Sequence, residues 1–275
     1  MNRIIEERLS GYDARTPELK NQHFRELLQE MAIYSLSAHS FFDEALFHGG
    51  TELRLLHGLP RFSEDLDFLL REPESSFDWK KYEDKLLATF SRYDLKLEIR
   101  RKSRERGAIR AIMLIESSMA FGDASGRPGY TRIRLEIDTD PPAGATSRSG
   151  FLDFPIPHEL SVMDLSSSFA LKCHALLCRN WMKGRDWFDL LWFCSREVRP
   201  NLSLFASSMN QTGPWAGQEI PQSMEWLVQR LREKVKETDL DQAAKDVIPF
   251  LGAEEKETAR NWSGEMFLHF IDKAF

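Results

Sequence analysis

"HGGTELRLLHGLPRFSEDLDFLL", residues 48–70, sets two glycines ahead of a helical pattern and two aspartates inside an apolar run. The short strand signal "EALFH" leads into Gly49 and Gly50. Thr51 is placed to cap a helix that Gly58 ends and Pro60 keeps from continuing. "EDLDFLL" then reads as a strand, whose alternation puts Asp65 and Asp67 on one face and Leu66 and Phe68 on the other. Two ionised carboxylates side by side repel, and apolar surroundings would push one of their pKa values up. A divalent cation removes the conflict: Mg²⁺ favours one or two protein carboxylates together with substrate phosphates. Backbone N–H groups at a strand-to-helix turn, with the helix dipole behind them, can receive those phosphates. Taken singly, the acids fit a solvated strand face and the glycines an ordinary turn. In series, strand, Gly-Gly, helix, loop and Asp-x-Asp strand make a phosphate cradle facing a metal site.

Working outward, "RIRLEIDTD" (132–140) places Glu136 and Asp138 on one strand face. Phosphoryl transfer calls for a further carboxylate near the attacking hydroxyl. Glu136 is the favoured residue, Asp138 its competitor, and a merely charged strand face the alternative to both. Arg61 and Ser63, just before the Asp pair, are candidate nucleotide-binding residues. Arg61 offers forked donors for a phosphate, or equally an ion pair with Glu64 or Asp65. Further along, Lys172 lies among Phe169, Leu171 and Leu176, where an ammonium wants an anionic partner. "RDWFD" sets Asp186 and Asp189 three apart on one helix face. Lys172 could meet nucleotide phosphate while Asp186 holds it, or the group could weld two helices as a salt-bridge network.

The 275 residues suit one large domain or two modest ones. With 42% hydrophobic and 29% charged residues the composition is that of a globular chain, and 19 Phe and 7 Trp supply core material. A net charge of −6 argues against coating nucleic acid by global electrostatics. One local exception is "RRKSRERGAIR" (100–110), with six basic residues against one acid, which could track an RNA backbone or simply be solvated. No apolar run reaches the roughly 18 residues of a membrane helix, and "MNRIIEERLS" lacks a signal-peptide core, so the expectation is a cytoplasmic protein without membrane contact. Cys173, Cys178 and Cys194 form no C-x-x-C pair and read as reduced thiols. The sequence contains neither a metal-binding histidine motif nor a G-x-S-x-G elbow, leaving zinc chemistry and hydrolase triads without support.

Beyond the opening stretch, residues 17–38 and 78–92 carry helical periodicity, and "DLKLEIRR", "AIRAIMLIESS" and "YTRIRLEIDTD" read as strands. "PPAGATSRSG" (141–150) reads as a surface loop. After it come helices only: one capped by Asp164, one at "RDWFDLLWFCSREV", then 221–237, 239–251 and 257–273. The organisation is an α/β (α+β) half, residues 1–158, followed by a helical half, residues 159–275.

"FHGGTELRLLHGLPRFSEDLDFLL" closely resembles the hallmark segment of the AbiEii/AbiGii-type nucleotidyltransferase toxins, a branch of the DNA polymerase beta-like superfamily. "RLEID" looks like the strand bearing that superfamily's third carboxylate. "ALKCHALLCRNWMKGRDWFDLLWF" is similar to the family's second-half signature, a lysine helix followed by Arg-Asp-x-x-Asp. The resemblance spans about residues 45–195. It implies a mixed β-sheet nucleotidyltransferase core followed by a C-terminal helical domain. It also implies transfer of a nucleoside monophosphate from NTP with Mg²⁺ (or Mn²⁺) as cofactor. Asp65, Asp67 and Glu136 would carry the metal, Gly49, Gly50 and Thr51 the triphosphate, and Lys172 and Asp186 would complete the catalytic set. Known relatives are toxins neutralised by a separate antitoxin, and some modify the acceptor end of tRNA. Other acceptors, a protein hydroxyl or a small molecule such as an antibiotic, fit the same chemistry, and an inactive nucleotide-binding module fits the same fold. Glu52 stands where relatives commonly have a small residue, beside the expected triphosphate site.

Overall fold

A computed structural model describes residues 2–12, 16–101, 107–117 and 129–275. The chain divides into two compact units. The first gathers Met1–His57, Phe62–Pro141 and Ser149–Val162; the second gathers Gly58–Arg61, Pro142–Arg148 and Met163–Phe275. The division at residue 158 read from the sequence falls on the first residue of the last strand.

The first unit runs α1 (Arg3–Ser10), α2 (Pro17–Ser37), α3 (Phe41–Glu44), β1 (Ala45–His48), α4 (Gly49–His57), β2 (Asp65–Leu70), α5 (Lys80–Arg92), β3 (Leu97–Arg101), β4 (Ile109–Glu116), β5 (Thr131–Asp138), β6 (Ser147–Leu152) and β7 (His158–Met163). Its seven strands form one sheet in the order β3-β4-β5-β2-β1-β7-β6. β2 runs antiparallel to β1 and parallel to β5, which makes the sheet mixed.

Register assigns the two faces. Leu66 pairs with Leu135 and Phe68 with Ile137, and on β4 Ile112 stands opposite Leu135 and Leu114 opposite Ile133. These residues are buried in one core with Phe24, Leu27, Leu28 and Met31 of α2. Burying a side chain of that size stabilises by roughly 1.5–3 kcal/mol. An aromatic cluster centred on Phe41 closes one end, with Phe68 at 4.9 Å, Tyr82 at 5.1 Å and Trp79 at 5.6 Å between ring centroids. Because this face holds the core, the residues between, Asp65, Asp67, Arg134 and Glu136, share the opposite face.

Besides the short helices α1 and α3, which were not anticipated, the first unit departs from the sequence reading in three places. Ser147–Gly150 of the expected loop "PPAGATSRSG" opens β6, and β7 was not foreseen. β6 is an edge strand with only Gly150 and Leu152 buried, so it carries almost none of the apolar alternation by which strands are read. The third is α4, which begins at Gly49 itself and leaves Thr51 inside the first turn instead of capping it.

The second unit contains α6 (Leu165–Cys178), α7 (Gly184–Ser195), α8 (Leu202–Gln211), α9 (Met224–Glu237), α10 (Leu240–Val247) with a 3₁₀ turn at Ile248–Phe250, α11 (Ala253–Arg260) and α12 (Gly264–Ala274). Asp164 caps α6 as its sequence suggests, accepting from the Ser167 N–H at 2.8 Å. The single helix expected over 257–273 is two: α11 stops at Arg260, and Ser263 caps α12 by accepting from Met266 N–H at 3.2 Å. Arg61 makes an antiparallel bridge to Leu251, which ties the segment Gly58–Arg61 into this unit.

Candidate active site

β1 passes directly into α4 at Gly49, whose φ is +89°. A Cβ there would stand 2.5 Å from Asp67 Oδ2 and 3.0 Å from Asp67 Cβ. Glycine is therefore needed twice, for the left-handed backbone and for the room it leaves the aspartate. α4 is nine residues long, and its first-turn N–H groups and dipole provide an anion-binding end.

Thr51 and Glu52 follow, both fully buried. The Thr51 hydroxyl donates to the Asp65 carbonyl at 2.5 Å, clipping α4 to the start of β2. The hydroxyl thereby helps position the Asp strand. The Glu52 carboxylate is met at 3.0 Å by His57 Nε2, further down the same helix. The two form an ion pair whenever His57 is protonated.

Across the sheet, His48 of β1 pairs with Asp67 of β2, and Asp67 pairs with Glu136 of β5. His48, Asp67 and Glu136 form one row over three adjacent strands, with Asp65 opposite Arg134 in a neighbouring row. Asp138 faces Leu69 instead and accepts from the Asp140 N–H at 3.0 Å. Glu136 forms an ion pair with Arg134 of its own strand. Neither His48 nor Arg134 was singled out from the sequence, because cross-strand register is invisible there.

Three carboxylates on one sheet face are hard, anionic oxygen donors of the kind Mg²⁺ takes, and Gly49, lacking a Cβ, leaves the Asp67 side chain its room. Among the described residues, no three Asp, Glu, His or Cys side chains are gathered into a ready-made cage. Like charges repel, and Arg134 draws Glu136, so the face has suitable donors without a closed site.

Ser63, half-buried, presents its carbonyl to Gln29 Nε2 at 3.1 Å. Arg61 is not an exposed phosphate grip. It is 2% exposed, and both Nε and Nη2 donate to Asp189 at 2.7 Å. Within the second unit Lys172 Nζ lies 2.7 Å from Asp189 and 3.4 Å from Asp186, which also pairs with Arg179. Asp189, read from the sequence only as a companion to Asp186, is the buried hub. Burial alone would raise its pKa, but Arg61 and Lys172 outweigh that and hold it at about 2. Lys172 and Asp186 are thus brought together as expected. The basic segment 100–110 is described only at its ends: Arg100 pairs with Glu98, Arg101 with Glu83 and Asp78, and residues 102–106 lie outside the described residues.

A Gly-Gly turn into a helix, an Asp-x-Asp strand beside it and a further acid on a parallel neighbour are the arrangement that the resemblance to nucleotidyltransferases leads one to expect. The family model described as "Nucleotidyl transferase AbiEii toxin, Type IV TA system" matches residues 32–262, and the chain belongs to that family. Among solved structures it is similar to MenT4, a nucleotidyltransferase toxin from Mycobacterium tuberculosis, with 15% identity, a TM-score of 0.53, and coverage of 98% of this chain and 88% of that one. It is also similar to JHP933 from Helicobacter pylori, at 18% identity, TM-score 0.50, and 92% and 93% coverage. At such identities the likeness speaks for the fold alone. No curated protein sequence matches the chain. No helix among the described residues is long and apolar enough to cross a membrane.

Proposed function

We propose that this nucleotidyltransferase is the toxin of a toxin–antitoxin pair and transfers a nucleoside monophosphate from NTP to a hydroxyl of tRNA. The observation that carries the reading is the pairing of Asp67 with Glu136 across parallel strands, with Asp67 packed against the turn at Gly49. Asp65, Asp67 and Glu136 would hold Mg²⁺ or Mn²⁺, and a bound ion would neutralise the triphosphate and favour attack on it. The backbone N–H groups at Gly49 and Gly50 receive phosphate oxygens. The acceptor oxygen bonds to the α-phosphorus, the bond from that phosphorus to the bridging oxygen breaks, and pyrophosphate leaves with its electron pair. Glu136 takes the hydroxyl proton, which requires it to part from Arg134. Lys172, which Asp186 and Asp189 hold, and Asp186 itself are proposed as further catalytic residues. The family's description as a toxin–antitoxin component supports a cognate antitoxin as partner.

To test this, the protein is incubated with each α-labelled NTP, Mg²⁺ and either purified tRNA or lysate protein. The reading expects label on tRNA. Label on protein or on a small molecule instead would move the acceptor, and label nowhere would overturn the transferase reading.

A further inference from the structure

The second unit holds an open cavity of about 210 Å³, lined among others by Arg179, Trp181, Lys183, Asp186, Lys234 and Glu237. Trp181, in the turn joining α6 to α7, is 68% exposed. It is the only tryptophan among the large hydrophobic side chains exposed in the described residues. Leaving an indole in water forgoes burial worth about 25 cal/mol per Å² of apolar surface, so a mostly exposed tryptophan at a cavity mouth points to a ligand. The Arg179 guanidinium lies 5.3 Å from the ring centroid and is anchored in turn by its ion pair with Asp186. The indole is therefore backed by a cation on a fixed tether.

The charges of the lining sort themselves. Asp186 is engaged by Arg179 and Lys172. Asp239 caps α10 by accepting from the Gln242 N–H at 2.9 Å. Lys234 lies in the same lining as a cation for a phosphate, and Glu237 as an acceptor for a base amino group. Aromatic face, flanking cations and a hydrogen-bonding edge are what an unpaired nucleotide requires. A free NTP would be expected in a site that encloses most of its surface, whereas this ring lies open, as suits a strand passing over it.

We infer that Trp181 is a stacking platform for an unpaired base of the acceptor RNA, with Lys234 taking a backbone phosphate. This rests on the proposed RNA acceptor and adds a place where that RNA is held. Base–aromatic stacking is worth enough that its loss weakens binding about tenfold.

The test uses the full chain and its Trp181→Ala and Trp181→Phe variants, titrated by fluorescence anisotropy with a short fluorescein-labelled single-stranded RNA, with the same RNA as a duplex, and with a fluorescent NTP. W181A should bind the single strand about tenfold more weakly, and W181F should recover most of that loss. Duplex and NTP affinities should not change, and neither should the melting temperatures. Equal single-strand affinity in W181A, loss of NTP affinity instead, or no single-strand binding by the unmodified chain would each overturn the inference. The label-transfer assay separates the two proposals. Binding through Trp181 without label on tRNA sinks the tRNA acceptor and leaves the platform. Label on tRNA with W181A fully active and unaltered in binding sinks the platform alone.

Discussion

Gly49 is where backbone geometry and chemistry meet in a single residue. With φ at +89° and Asp67 Oδ2 2.5 Å from where a Cβ would be, Gly49→Ala strains the turn and displaces the carboxylate. Displacement of about 1 Å in a catalytic group can cost on the order of 100-fold in rate. G49A should therefore lose about that much kcat in NTP transfer, with a modest drop in stability of about 1–2 kcal/mol from the left-handed backbone. Steady-state kinetics beside a denaturation curve would check both. The glycine's role was legible in the sequence, since a Gly-Gly between strand and helix announces a tight turn. The roles of Thr51 and Glu52 were not. Thr51 bonds a carbonyl 14 positions away, and Glu52 reaches His57 over five positions, outside the three- and four-residue spacings that a helix makes readable.

Among elements, α6 and α7 are joined through charge as much as through apolar packing. Arg61, Lys172 and Asp189 form a buried group in which one carboxylate serves two cations. Removing it leaves both without their anion, so Asp189→Asn should destabilise by ~3–5 kcal/mol near neutral pH. Its folded pKa, about 2, lies below the ordinary 3.8, so the contribution is complete above about pH 4 and is lost as pH falls toward 2. Denaturation of both proteins across that range should show the gap between them narrowing on acidification. Gly184, at the start of α7, allows a second close approach: a Cβ would lie 1.9 Å from the Ala243 carbonyl oxygen of α10. Gly184→Ala must push the helices apart, costing ~1–3 kcal/mol or more, visible as a lowered melting temperature. Sequence alone revealed the helices and the Lys172–Asp186 grouping. It could not reveal that Arg61 reaches Asp189, a contact between residues 128 positions apart.

For the molecule as a whole, topology turns separate motifs into one face. Alternation exposed Asp65, Asp67 and Glu136 as outward residues of two strands, because their partners Leu66, Phe68, Leu135 and Ile137 are plainly core. What remained hidden was the order β5-β2-β1, which sets Glu136 opposite Asp67, leaves Asp138 opposite Leu69 and adds His48 to the row. Strand order is decided by packing among distant segments, and no local pattern encodes it. β6 went unread because an edge strand buries little and so shows little periodicity. If this face carries out nucleotidyl transfer, Asp67→Asn must abolish it. The variant keeps the shape of the side chain and removes its charge beside Glu136. Assayed with α-labelled NTP, Mg²⁺ and tRNA, it should transfer no detectable label while melting at or above the temperature of the unmodified protein. Label transfer undiminished in a folded D67N protein would contradict the claim.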